Sequence, residues 1–393
     1  MNLTIKNVRL IDRDTDKFGD LHIVNGLISD TPAENATVVE ADGQVLMPAF
    51  VDPHVHFRTP GFEYKEDITT GSAAAAAGGY TGVCLMANTN PVCSHMDTVN
   101  LVKSLAKEIG KVDVHQCVSI TENFDGKTFT HLNDLDDTIA CISEDGKGVQ
   151  SNHVMNQAMM IAKERGITVL SHTEDMEISP YDYRLAENIA TARDIFLSAY
   201  TGCRLHLCHV STKEAMDIIV ENKKKGAPIT CEVGPHHIYF AGTGYRVNPP
   251  IREQQDVECL ISAICDGWVD CIATDHAPHS DEDKKNGSPG MVGLETAFSV
   301  CNTVLVNKHG LSLNKLSELM SCNPAKLLKM NKGLLQPGFD GDVVLVDPTE
   351  SYTVDRNLLH SKSKNTPFDG HTLQGRVKMT VKGGKITYID EKE

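Results

Sequence analysis

Polar and apolar positions divide the chain into two regimes. Over the first fifty residues, LTIKNVRLID, LHIVNGLIS and TVVEADGQVL alternate between apolar and polar positions and are split by Gly, Asn and Asp. That is the pattern of half-buried strands joined by tight turns. It returns after about residue 338 in GDVVLVD and GRVKMTVKGGKITYID. The long middle differs. Its short β-rich runs are AFVDPHVHF, YTGVCLMAN, VDVHQCVSI, ACISED, ITVLSHTED, RLHLCHVS, PITCEVGPHH and DCIATDHAPH. Between them lie segments of helical period such as SHMDTVNLVKSLAKEIG, NHVMNQAMMIAKERG, TKEAMDIIVENKKKG and DVECLISAICDGWVD, several closed by glycine. The run AAAAAGG at 73–79 reads as a close-packed helix.

Eight strands, each followed by a helix, predict an α/β chain built on a closed parallel (β/α)8 TIM barrel over residues 49–337. No G-x-G-x-x-G follows any strand, so a dinucleotide site has no support. The two ends, residues 1–48 and 338–393, predict one small β-sandwich domain formed by both termini, with two separate β caps as the alternative.

Composition narrows the partners. The net charge is -16, and the only basic run is Lys223-Lys224-Lys225, which argues against nucleic acid or an anionic membrane surface. No apolar run is long enough to span a bilayer, and MNLTIKNVRL lacks the apolar core of a signal peptide. The 12 cysteines are scattered without a C-x-x-C pair. Reduced thiols in a cytoplasmic protein are the expectation, and metal ligands should come from His and carboxylates.

In a barrel of this kind, chemistry gathers at the C-terminal ends of the strands. His54 and His56 end the first predicted strand, Asn88 the second, Asp145 the fourth, His172 the fifth, His209 the sixth and Asp275 the eighth. An H-x-H pair on a strand points both imidazoles to one face. Alone it is weak evidence, but repetition at strand after strand makes a metal centre the expectation. By strand parity His209 and His206 face opposite ways, and His209, nearer the strand end, is the inward candidate. Taken alone, His172 also reads as a helix cap and Asp145, before Gly146, as a turn residue. Four imidazoles and two carboxylates form a borderline donor set that suits Zn2+, with one or two ions. In the two-ion case Asp145 bridges, His54, His56 and Asp275 hold one ion, and His172 with His209 hold the other. Such a centre activates water and polarises a carbonyl, which points to hydrolysis of an amide-like bond. Arg58, Asn88, Asn248 and His279 lie near the cluster without being obvious ligands. An arginine beside a cationic centre needs an anion, so the substrate class is a small acid with a hydrolysable amide.

Taken in order, DPHVHFRTPGFEYKEDITTG, MANTNPV, SEDGKGVQ, LSHTED, CHVSTKE, EVGPHH, VNPPIR, ATDHAPH, VGLETAF and NTPFDG resemble bacterial dihydroorotases of the type I branch of the amidohydrolase superfamily, over nearly the whole chain. The resemblance implies reversible, zinc-dependent closure of N-carbamoyl-L-aspartate to L-dihydroorotate in pyrimidine synthesis. It implies His54, His56, Asp145, His172, His209 and Asp275 as metal ligands. It gives Arg58, Asn88, Asn248 and His279 to the substrate, mainly to its carboxylate, and Asp275 doubles as proton shuttle for a metal-activated hydroxide. Homodimers are common in the family, and a transcarbamoylase is a further partner the resemblance raises. Three features depart from the usual pattern: Asp145 stands where many superfamily members carry a carboxylated lysine, the 172–209 segment is short, and SPGMVG replaces a phenylalanine-containing approach to VGLETAF. The alternatives are another cyclic amidohydrolase, such as a dihydropyrimidinase, hydantoinase or allantoinase, and a catalytically dead homologue.

Overall fold

The computed structural model describes residues 1–390. Eight parallel strands form the barrel: β1 (Phe50–Val55), β2 (Tyr80–Leu85), β3 in two pieces (Asp113–Gln116 and Val118–Ser119), β4 (Cys141–Ser143), β5 (Thr168–Ser171), β6 (Leu205–Leu207), β7 (Ile229–Val233) and β8 (Cys271–Ile272). Each pairs with its sequence neighbour. The ring closes where His56 N donates to His276 O at 2.9 Å and His276 bridges Val55. Every residue of β1, β2, β4, β5 and β6 is buried, as expected of strands covered on both faces.

Helices Ile68–Ala77, Met96–Ile109, Asn152–Glu164, Tyr183–Thr201, Lys213–Lys224 and Gln254–Cys265 surround the barrel. Their starts follow from local chemistry. Asp67 and Thr70 form a capping box, while Ser151, Asp182 and Thr212 each accept from a first-turn amide. One expectation fails: no α-helix follows β3. Two short 3-10 turns, Glu122–Phe124 and Thr130–Asp134, make that crossover instead. The intervening TENFDGKTFTHLNDLDDT is rich in Asp, Asn, Thr and Gly and has no apolar stripe to lay against the barrel.

Segments from both ends of the chain share one eight-stranded sheet. Its order is Lys385–Ile389, Thr372–Lys382, Val343–Thr353, Val45–Pro48, Leu3–Ile11, Asp16–Val24 and Leu27–Ser29, with Thr37–Glu40 also pairing Leu3–Ile11. The sheet curls as a β-sandwich around its own core, which includes Leu3, Ile5, Ile23, Leu46, Val343 and Val381. We propose residues 1–48 and 338–393 as the two-part small domain, of which 391–393 lie outside the described residues. It is fastened tightly to the barrel. A Cβ added at Gly79 (φ +88°) would sit 2.9 Å from both the Phe50 ring and Val344. Buried Lys332 reaches Asp342 of the terminal segment and, at 2.8 Å, Asp113 of β3. No helix among the described residues is long and apolar enough to cross a membrane.

Candidate active site and metal centre

The C-terminal ends of the strands bring the predicted residues together around one buried carboxylate. Asp145 Oδ1 lies 3.3 Å from His54 Nε2, 3.5 Å from His172 Nδ1 and 3.8 Å from His209 Nε2, and its Oδ2 lies 3.6 Å from His56 Nε2. Asp275 Oδ1 stands 3.1 Å from His56 Nε2 and 3.6 Å from His54 Nε2. Two sets of donor atoms, His54–His56–Asp145 and Asp145–His172–His209, each fall within 4.8 Å of one another, and Asp145 belongs to both.

The imidazoles are aimed by partners at their far nitrogens. His54 donates from Nδ1 to Glu232 Oε1 at 2.8 Å, His56 from Nδ1 to Asn88 Oδ1 at 2.8 Å, and His172 from Nε2 to Glu174 Oε2 at 2.8 Å. Each bond fixes a tautomer and turns the other nitrogen toward Asp145. His54 Nε2 is fully buried and has no hydrogen-bond partner. An orphaned buried acceptor facing two carboxylates fits a cation between them. The donor set is of the N/O type that borderline divalent metals take, so the residues fit a metal ion.

Electrostatics agree. Burial alone would raise the Asp145 carboxyl, but the imidazoles of His54, His172 and His209 outweigh it and hold it well below the usual range. Burial likewise opposes charge on Asp275, yet His56 and His54 bring it down to about 2. Burial disfavours a charged His172, but Asp145 and Glu174 prevail and lift it to about 9. Each shift marks a centre in which positive charge is wanted beside carboxylates.

A cavity of about 220 Å³ opens above this floor, lined by His56, Arg58, Asn88, Asp145, His172, Asn248, Asp275 and His279, while His54 and His209 sit beneath it. Ser288, Pro289 and Gly290 from SPGMVG form part of its wall. Arg58 Nε donates to Pro278 O at 3.3 Å and its Nη2 lies 3.3 Å from His279 Nε2. Among the described residues no carboxylate lies within 4.0 Å of this guanidinium. His279 is held down to about 3, by burial first and then by Arg58 and Lys65, so it is neutral beside the charge. Asn88 Nδ2 donates to Asp145 Oδ2 at 3.2 Å and Asn248 Nδ2 to Glu174 Oε2 at 2.9 Å. Each keeps one amide hydrogen for a ligand.

Arg58, His209 and Asp275 hold left-handed backbone, at φ 62°, 34° and 47°. Strain of this kind, of order 1–3 kcal/mol per residue, concentrates at functional sites. The turn at His209 also undoes the parity expectation for β6. The strand ends at Leu207, so His206 and His209 both reach the interior: His206 Nε2 donates to Glu232 Oε2 at 3.0 Å, and His209 N donates to Glu232 Oε1 at 3.2 Å. Glu232 and Glu174 are functional neighbours that the sequence reading missed. A carboxylate inside the apolar run ITCEV was the available signal for the first, because an unpaired acid there would be costly. Lys147 is not at the bridging position; its ammonium lies over the Phe124 ring at 5.6 Å.

Comparison with known proteins agrees with this geometry. The amidohydrolase family model matches residues 45–387. A dihydroorotase of Clostridium botulinum (strain Eklund 17B / Type B) is 52% identical over 396 residues, covering 99% of this chain and 100% of the relative. A dihydroorotase of Trichlorobacter lovleyi is 37% identical, covering 99% of each. Among solved structures, the L-hydantoinase (dihydropyrimidinase) from Arthrobacter aurescens superposes with a TM-score of 0.89 at 26% identity, over 98% of this chain and 95% of that one. With a metal-fitting centre at the barrel mouth and relatives of this identity along its whole length, the chain belongs to the metal-dependent amidohydrolase family, among its dihydroorotases.

Proposed function

We propose that this site interconverts N-carbamoyl-L-aspartate and L-dihydroorotate, with zinc held by His54, His56, Asp145, His172, His209 and Asp275. The observation that carries the assignment is Arg58, a partly buried guanidinium without an acidic partner, at the wall of a small cavity whose floor is a metal-fitting cluster. It supplies the place for a carboxylate that a plain hydantoin or dihydropyrimidine lacks.

When bound, the metal supplies a Lewis acid for the carbonyl and lowers the pKa of water. The chain's residues do the rest. Arg58, with Asn88, Asn248 and His279, grips the substrate carboxylate and orients the ring over Asp145. In the hydrolytic direction, water adds to the ring amide carbon and the bond from that carbon to nitrogen breaks. Asp275, ionised at neutral pH, takes the proton from the water and returns it to the departing nitrogen. Closure reverses these steps: nitrogen rejoins carbon and water leaves. Every side chain in this scheme comes from one chain, so the chemistry needs no second subunit. We further propose a cytoplasmic location, in keeping with 12 free cysteines of which most are buried.

Turnover of L-dihydroorotate, followed at its ultraviolet absorbance with metal content measured in the same sample, tests the reading. Expected are loss with a chelator, recovery with zinc, and a fall of at least about 10³-fold in kcat for Asp275→Ala. Near-normal turnover by that variant, or activity on hydantoins with none on dihydroorotate, would overturn it.

A further inference from the structure

The barrel also opens at its other end. A cleft of about 450 Å³ lies at the N-terminal ends of four strands, floored by Thr168, Leu205, Ile229 and Cys271, the first residues of β5, β6, β7 and β8. All four are buried. Ala227, Pro228 and Leu327 add apolar walls. Three polar side chains of the lining are already engaged: Thr230 Oγ1 lies 2.8 Å from His206 Nδ1, Asn323 Nδ2 donates to Asp270 O at 2.9 Å, and the Asp270 carboxylate accepts from Cys231 N at 2.8 Å and from Lys223 Nζ. What the cleft mainly offers a ligand is therefore apolar surface. Its rim is cationic. Arg204, Lys326 and Lys329 are exposed there, and among the described residues no carboxylate lies within 4.0 Å of any of them. Arg204 donates to Gly166 O, and Asp14, whose field reaches Lys326, is itself paired with Arg13 at 2.6 Å. In a chain of net charge -16, three cations without acids around one apolar cleft depart from the average of the surface.

We propose that this cleft is a second binding site, for a small amphiphile with an anionic head on an apolar body. The two parts of the cleft select the two parts of the ligand. The floor gains by taking the apolar body out of water. The head, a carboxylate or a phosphate, stays at the rim, where lysine and arginine give it charge-assisted hydrogen bonds. A sugar or a nucleotide would leave its polar edges unpaired against the floor, and a cationic ligand would meet three like charges. Size fits as well, since small-molecule sites run from about 300 to 1,000 Å³. The site is distinct from the metal centre: β5 begins here at Thr168 and ends at Ser171, just before His172, so the two cavities share strands but no lining residue.

Fluorescence titration of the full chain with anilinonaphthalene sulfonate, with decanoate and decyl phosphate as competitors, tests the proposal. The dye should bind with a Kd below about 100 μM and be displaced by at least one competitor, the stronger of the two identifying the head. Phenylnaphthylamine, the same ring body without the sulfonate, should bind at least about tenfold more weakly. Lys326→Glu with Lys329→Glu should weaken binding of the sulfonate at least about tenfold, with circular dichroism unchanged. Ala227→Trp, which fills the apolar part and leaves the cations in place, should independently weaken it by about as much. Lys17→Glu, exposed on the terminal sheet, should leave binding as it is. No binding, a dye that neither competitor displaces, equal affinity for the uncharged dye, or binding that survives both cleft variants would overturn the proposal.

Discussion

At the scale of single residues, the imidazoles are held from their far nitrogens by Glu232, Asn88 and Glu174. Glu232 is the clearest case. Its two oxygens accept from His54 Nδ1, His206 Nε2 and the His209 amide, so one buried side chain orients three groups carried by two strands, β1 and β6. The mouth of the cavity differs: Arg58 contacts Pro278 O and His279 Nε2, and we propose that its guanidinium serves the ligand. Arg58→Met should therefore raise KM for dihydroorotate at least about tenfold while changing kcat far less, and initial-rate kinetics with an unchanged KM would remove it from the carboxylate clamp. Seven of the ten candidate residues drew attention because they stand at the ends of predicted strands; Arg58, Asn248 and His279 lie in loops and drew it only by their nearness to that cluster. Glu232 was overlooked because it lies within a strand, where an acid looks like noise until its imidazole partners are placed. His206 was misplaced for another reason: alternation holds only while the backbone stays extended, and His209 at φ 34° ends it.

At the scale of elements, loops are tied down by polar pairs, and one of these holds a histidine with a raised pKa. His360 donates from Nδ1 to Glu295 Oε2 at 2.9 Å, and its backbone amide also donates to that carboxylate. The Glu295 bond, opposed by burial, raises the His360 pKa. A raised histidine contributes stability that is fully present below its unfolded value, near 6.5, and lost as pH rises through the folded value. His360 is 45% exposed, so the pair's worth is within about 1 kcal/mol. The difference in Tm between wild type and His360→Gln should be about 1–2 °C at pH 6 and shrink as pH rises; a difference that does not change with pH would contradict the link. Most helices were legible at this scale from period and capping residues. The Tyr183–Thr201 helix was not singled out, because its buried face mixes Ala186, Ala190 and Ile195 with Glu187, Thr191, Asp194 and Ser198. The missing helix after β3 had the opposite cause: the pattern of the fold predicted an element that the local residues do not support.

At the scale of the whole molecule, the terminal sheet and the barrel meet through packed surface and through Lys332. This lysine is almost fully buried, and its ammonium faces Asp342, Asp113 and Asp340. Burial alone would lower its pKa, but those carboxylates win and raise it. Removing the cation strands acids at the junction, so Lys332→Met should cost about 3–5 kcal/mol in urea unfolding, and a loss below about 1 kcal/mol would show that the junction does not depend on it. The shared sheet has a further consequence in time. Met47 pairs with Val344, so a strand synthesised near the start must wait for one synthesised near the end. At about 5–20 residues per second the wait is on the order of 15–60 s. Through that interval the edge of Val45–Pro48 stays open on the ribosome, and it is the finished barrel, by carrying residue 343 back to Pro48, that relieves the nascent chain of its bare edge.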